Sequence, residues 1–144
     1  MYERIVDVPR LVASFALDDA ALPEPIAALR GEVERFCGRG FNSAGLNFYR
    51  DGNDSVAPHG DHIEEMIDQT PVALVSLGAT RRMTIRSKAR PRRMLDLDLE
   101  PGSLLVMSFE SHRNFEHGIP KTKRAVGPRI SVAFRLRRLA GSRW

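Results

Sequence analysis

The sequence predicts a mostly β domain, an antiparallel sandwich or barrel with one amphipathic helix packed outside it. Three observations carry that expectation: one stretch of helical periodicity before Phe41, about six short strand-like runs after it, and turn residues between those runs.

The helical stretch is EPIAALRGEVERFC, residues 24–37. Ile26, Leu29, Val33 and Phe36 recur at steps of three and four, which lays an apolar stripe along one face, and Gly38 and Gly40 end the helix. The runs that follow are GLNFYR, PVALVSLG, RRMTIRS, RMLDLDLE, GSLLVMSF and RISVAFRLR. MLDLDLE alternates Leu with Asp, the period of a half-buried strand, whereas PVALVSLG is almost continuously apolar, as in a strand covered on both faces. DGND at 51–54, Pro91, EPGS at 100–103 and VGP at 126–128 supply the turns. The chain therefore divides into an N-terminal segment with its packing helix, residues 1–40, and a β core over residues 41–140.

Composition is that of a globular domain, 42% apolar and 28% charged in 144 residues. No apolar run approaches the length of a membrane span, and MYERIVDVPRLVASF lacks a basic-then-apolar leader, so the expected location is the cytoplasm and no membrane partner is expected. The single Cys37 cannot form an internal disulfide and reads as a small core residue. Net charge is +4, with Arg81, Arg82, Arg86, Lys88, Arg90, Arg92 and Arg93 in one segment and Arg135, Arg137, Arg138 and Arg143 near the C-terminus. Such clusters suit a polyanionic partner, though a solvated basic surface gives the same pattern.

His59 and Asp61 form an H-x-D pair after a loop containing Pro58. Residues two apart in an extended segment share a face, so an imidazole and a carboxylate can reach one ion. A third ligand must come from elsewhere: His117 lies in a loop after GSLLVMSF, and His112 is its rival. Two histidines and one carboxylate leave coordination positions open, as in non-haem Fe(II) oxygenases, while ordinary surface histidines are the alternative. His62, beside the pair, is either a substrate contact or a plain loop residue, and the terminal Trp144 is expected to be disordered. Arg129 and Arg135 are six apart in an alternating strand and face the same side. A guanidinium keeps its charge, so an enclosed pair would call for an anion such as a dicarboxylate; an exposed face is the other possibility.

Taken in order, GLNFYRDGNDSVAPHGDH, PVALVSLGATRRM, EPGSLLVM, EHGIPKT and GPRISVAFR resemble the AlkB-like branch of the 2-oxoglutarate and Fe(II)-dependent dioxygenases, from Phe41 to Leu136. The resemblance implies a double-stranded β-helix, or jelly roll. It implies Fe(II) held by His59, Asp61 and His117, the match of HGIP favouring His117 over His112. Asn47, Tyr49 and Arg129 would hold the distal carboxylate of 2-oxoglutarate, and Arg135 would lie near the carboxylate that chelates iron. The activity implied is oxidative demethylation of N-alkylated bases in DNA or RNA, as in DNA repair. A monomer is expected, and the short stretch before Asn47, leaving less surface to offset unstacking, makes single strands the expected form. Arg81, Arg82 and Arg86 would meet the nucleic acid.

Two departures qualify the match. Ser131 and Ala133 stand where the family has Asn and Thr, and Ile63 stands where the repair enzymes carry an acid, with Glu64 one step later. The stretch before Asn47 is also short for the family, which leaves a reduced or truncated substrate lid as an expectation. A dioxygenase acting on a protein or small molecule is therefore a second reading, and a non-catalytic basic jelly roll a third.

Overall fold

The computed structural model describes residues 8–61, 63–67 and 69–138, with the side chain of Ile63 left out. His62, Arg143 and Trp144 lie outside the described residues. Two antiparallel sheets face each other. One carries, in spatial order, β1 (Leu11–Ala16), β2 (Ser43–Tyr49), β9 (Arg129–Arg135), β4 (Val72–Gly78) and β7 (Ser103–Met107). The other carries β3 (Val56–His59), β8 (Phe115–Ile119), β5 (Arg81–Ser87) and β6 (Met94–Leu99). The mostly β jelly roll with an external helix is thus the observed architecture.

All six runs read as strands form strands, and β4 has its first five residues buried, between β9 and β7. Three strands were not foreseen. β1 adds an edge to the larger sheet by pairing with β2, in register from Leu11–Phe48 to Ala16–Ser43. β3 and β8 pair with each other in the smaller sheet, so His117 sits on a strand and not in the loop expected for it. Leu95 in MLDLDLE is more than half exposed, because β6 is an edge strand whose leucine face is covered only towards Leu99.

Helix α1 (Glu24–Cys37) has the expected bounds. Pro25 suits its first turn, Gly38 closes it at φ 67°, and the Gly38 N–H donates to the Glu34 carbonyl. Ile26 and Val33 are buried against Ala44, Ala73, Val132 and Phe134 of the larger sheet. Phe36 is not part of that face: it is 75% exposed, and Cys37 packs against the cluster instead. At about 100° per residue, position 37 comes back over 26 and 33 whereas position 36 points well to the side. A second apolar layer, built by Tyr49, Val72, Leu74 and Met107 with Met83, Leu99 and Ile119, fills the space between the sheets.

Phe134 is fully buried under α1. Phe134→Ala should therefore cost about 3–5 kcal/mol in urea unfolding, while Phe36→Ala should stay within about 0.5 kcal/mol. Equal losses would mean that the helix does not pack by this face.

Candidate active site

The site is built where β3 meets β8. His59 and His117 are register partners there, with ring centroids 4.6 Å apart. Cross-strand partners stand face to face, so this pairing alone delivers two imidazoles to one point. The close approach needs Gly118, where a Cβ would come within 2.8 Å of the Val56 carbonyl and 2.9 Å of the Pro58 nitrogen. Asp61 follows β3, and its carboxylate joins the two rings with all three ligand atoms within 4.8 Å of one another. The Nδ1–H of His59 donates to the Ala57 carbonyl at 2.8 Å, which leaves Nε2 as the ring's free lone pair.

His112 is placed differently. It belongs to the short helix α2 (Phe109–Asn114), capped by Ser108, whose hydroxyl accepts from the Ser111 N–H. Its ring is buried edge-on to His117 at 5.8 Å and falls outside the ligand set.

Behind the triad a chamber opens between the sheets, lined by Asn47, Tyr49, Arg129, Ser131, Ala133 and Arg135 among others. Every cosubstrate residue expected from the sequence lies there. Arg129 is 1% exposed and donates from Nη2 to the Ser76 hydroxyl at 2.8 Å. Its Nε and Nη1 are buried without a partner. Two guanidinium groups stand over the Tyr49 ring, Arg129 at 5.1 Å and Arg81 at 5.6 Å from its centre. Burial raises the Tyr49 phenol, against the pull of these cations, so it remains a hydroxyl donor. The two arginines of β9 share one face as expected, and that face is enclosed in the chamber, while Val132 and Phe134 on the other face pack in the core under α1.

Arg135 donates from Nε to Asp61 at 2.6 Å. Burial pushes the Asp61 carboxyl up, but the Arg135 charge and hydrogen bond outweigh that and hold it below its ordinary value. The His117 ring is pushed down to about 4, first by burial and then by the neighbouring His59. A neutral imidazole and an ionised carboxylate are the forms that bind a metal.

Among the arginines assigned to a nucleic-acid surface, Arg81 does not belong there. It is 3% exposed and its guanidinium donates to the carbonyls of Asp51, Asp54 and Pro120, tying two loops together. Arg82 is exposed beside Asp98, and Arg86 is paired with Glu116. Two residues that shape the site had no reading from sequence: Ser76, the partner of Arg129, and Arg10, which lines the chamber. Ser76 was signalled by a single hydroxyl in an otherwise apolar run. Arg10 carried no signal at all, since its place depends on β1 pairing with β2.

The model of the 2OG-Fe(II) oxygenase superfamily matches residues 16–135. The chain belongs to that superfamily. Its AlkB-like character shows in its relatives. The mouse (Mus musculus) "DNA oxidative demethylase ALKBH2" is 36% identical over 124 residues, which cover 78% of this chain and 52% of that protein. The human (Homo sapiens) protein of the same name is 32% identical over 74% of this chain and 44% of its own length. The mouse "Alpha-ketoglutarate-dependent dioxygenase alkB homolog 3" is 32% identical over 74% of this chain and 40% of its own. The chain thus spans about half the length, or less, of these relatives. The solved structure described as "The structure of OsALKBH1" superposes with a TM-score of 0.61 at 17% identity, over 79% of this chain and 65% of that one, which shows the shared fold.

His59→Ala, Asp61→Ala and His117→Ala should each abolish most metal uptake, measured by competition against a chromogenic chelator. His112→Ala should retain it. Loss of metal in His112→Ala with retention in His117→Ala would reverse the assignment.

Acid should destabilise the metal-free protein. With His117 at about 4 against an ordinary 6.5, the unfolded chain binds more protons between those values. Stability then rises with pH across that window and levels off above it. The depressed Asp61 has the same sign, its contribution being lost as pH falls through its folded value. Urea midpoints should fall from about pH 7 to about pH 5 in the wild type, with a shallower fall in His117→Gln. An equal fall in both would place the proton uptake elsewhere.

Proposed function

We propose that this protein is an Fe(II)- and 2-oxoglutarate-dependent dioxygenase that removes N-methyl groups from nucleobases in DNA or RNA. The observation that carries the reading is one chamber with a three-ligand cluster at one end and the unpaired Nε and Nη1 of buried Arg129 at the other. A buried guanidinium with orphan donors lacks a planar anion, and a carboxylate offers the matching bidentate acceptor. Two imidazoles and a carboxylate are the donor set of an iron centre with open positions. Both groups therefore fit the residues present. His59, Asp61 and His117 would hold the metal, while Arg129, Tyr49 and Asn47 would hold the cosubstrate's distal carboxylate, with Arg135 near the other end. When bound, Fe(II) and 2-oxoglutarate supply the oxidising chemistry: O2 hydroxylates the methyl carbon while the keto acid leaves as succinate and CO2, and the N-hydroxymethyl product sheds formaldehyde.

The protein's own part is placement. Arg135 keeps Asp61 ionised and oriented, and the Ala57 carbonyl fixes the His59 tautomer. The apolar walls from Val72, Leu74 and Met107 keep water from the cosubstrate. Substrate would enter by a mouth of about 520 Å³ lined by Val12, His59, Gly60, Asp61, Glu65 and Arg137 among others. The relatives named as DNA oxidative demethylases support a nucleic-acid substrate, as do the exposed cations Arg82, Lys121 and Arg124 around an open cleft. No Phe, Tyr or Trp lines the mouth among the described residues. Extracting a base from a duplex costs a few kcal/mol of unstacking, and nothing aromatic there offsets it, so single strands are the proposed form. The same lining, with three arginines and Glu65, also favours a second reading in which the substrate is a small anionic molecule.

The test supplies Fe(II), 2-oxoglutarate, O2 and single-stranded oligonucleotides bearing N-methylated adenine or cytosine, and reads succinate and formaldehyde together. Both should form in equal amounts. Succinate without loss of methyl would move the substrate to the second reading; no succinate from folded protein would leave a binding module.

Arg129→Ala should raise the 2-oxoglutarate requirement at least tenfold, since a charge-assisted contact of about 1.5–3 kcal/mol is lost. Arg129→Lys should recover only part of it, because one ammonium cannot replace the guanidinium fork. Unchanged affinity in Arg129→Ala would remove this residue from the cosubstrate site.

A further inference from the structure

Arg10 stands where the chamber narrows into the mouth and lines both. It directly precedes β1, two residues before Val12, the register partner of Asn47. The backbone here is fastened from both sides: the Pro9 carbonyl accepts from the Ser55 N–H at 2.8 Å and the Val8 carbonyl from Arg50 at 2.8 Å. The Arg10 side chain is thereby brought to Asn47, and its Nε–H donates to Asn47 Oδ1 at 2.8 Å.

That bond decides the orientation of the amide. Nε of arginine is only a donor, so the face of Asn47 turned towards Arg10 must be its carbonyl oxygen. The NH2 of the same amide is then turned away, towards the chamber that Asn47 lines together with Tyr49 and Arg129. Unfixed, an asparagine presents an acceptor as easily as a donor, and an acceptor would repel a carboxylate. The charge around the chamber agrees: Arg10, Arg129 and Arg135 line it, and no carboxylate does among the described residues.

We propose that Arg10 is a positioning residue for the cosubstrate: it locks the Asn47 amide with its donor end towards the bound dicarboxylate. The assignment rests on the cosubstrate reading above. It makes the first strand part of the 2-oxoglutarate site, although the residue that strand brings in makes its contact through Asn47.

The experiment is a double-mutant cycle read by calorimetry, titrating 2-oxoglutarate into the Mn(II)-loaded chain without O2. Arg10→Met keeps most of the aliphatic stem and removes the donors; Arg10→Ala serves if Arg10→Met does not fold. Arg10→Met should weaken 2-oxoglutarate binding roughly tenfold, the scale of one oriented charge-assisted contact. Asn47→Ala should weaken it by a similar factor. Because Arg10 acts through Asn47, the double variant should be no more than about twofold weaker than Asn47→Ala alone. Mn(II) affinity should be unchanged throughout, since neither residue is a ligand. Wild-type binding in Arg10→Met, or losses that add in full, would overturn the assignment while leaving the dioxygenase reading intact. Absence of 2-oxoglutarate binding in the wild type would instead defeat the cosubstrate reading itself.

Discussion

A guanidinium enclosed between two sheets governs this structure. Arg129 cannot shed its proton at any pH the fold survives, so burial cannot be relieved by neutralisation as it can for a lysine or a carboxylic acid. One nitrogen meets Ser76 and two meet nothing. Tyr49 eases the charge, through its ring face and its hydroxyl, without taking an anion's place. The other features of the chamber can be seen as accommodations to that charge. Small side chains at Ser131 and Ala133 leave room beside it, and Asn47 and Tyr49 turn their polar groups the same way. The unpaired state is costly, and an anion that relieves it binds all the more firmly.

The metal end obeys a different constraint, the geometry of paired strands. His59 and His117 are 58 positions apart in sequence and meet only because β3 and β8 lie in register with Gly118 allowing the close approach. Asp61 has no strand to hold it, and its orientation depends on Arg135, which comes from the opposite sheet. One end of the site is thus fixed by backbone pairing and the other by a salt bridge between the two layers. β9 carries both arginines and so joins the chamber to the candidate metal cluster.

Burial also redefined residues that look alike in sequence. Arg81 and Arg82 are neighbours on β5, yet one faces the interior and holds three carbonyls while the other faces solvent. Strand alternation makes that division unavoidable, but which of the two turns inward depends on the register of β5 with β6 and β8. A cluster of basic residues read as one surface was in fact divided between a structural bolt and an exposed rim.

What could be read from the sequence was the part encoded locally. Apolar periodicity set α1 to the residue and identified six strands, because each has enough length to show its period. The candidate ligands and the expected chamber residues lie in short motifs in a fixed order, and the structure brings those side chains together. The short strands β3 and β8 were not legible: β3 contains Pro58, β8 contains Gly118, and both take their stability from pairing with a distant partner. β1 was missed for the same reason, and with it the approach of Arg10 to Asn47. Phe36 failed the other way: its step from Val33 fits a stripe, but it points to the side of the face that Ile26, Val33 and Cys37 turn to the sheet. The sequence on its own determined which chemical groups the site contains. Tertiary structure decided which of them meet, because register and burial are properties of pairs of segments and no single segment carries them.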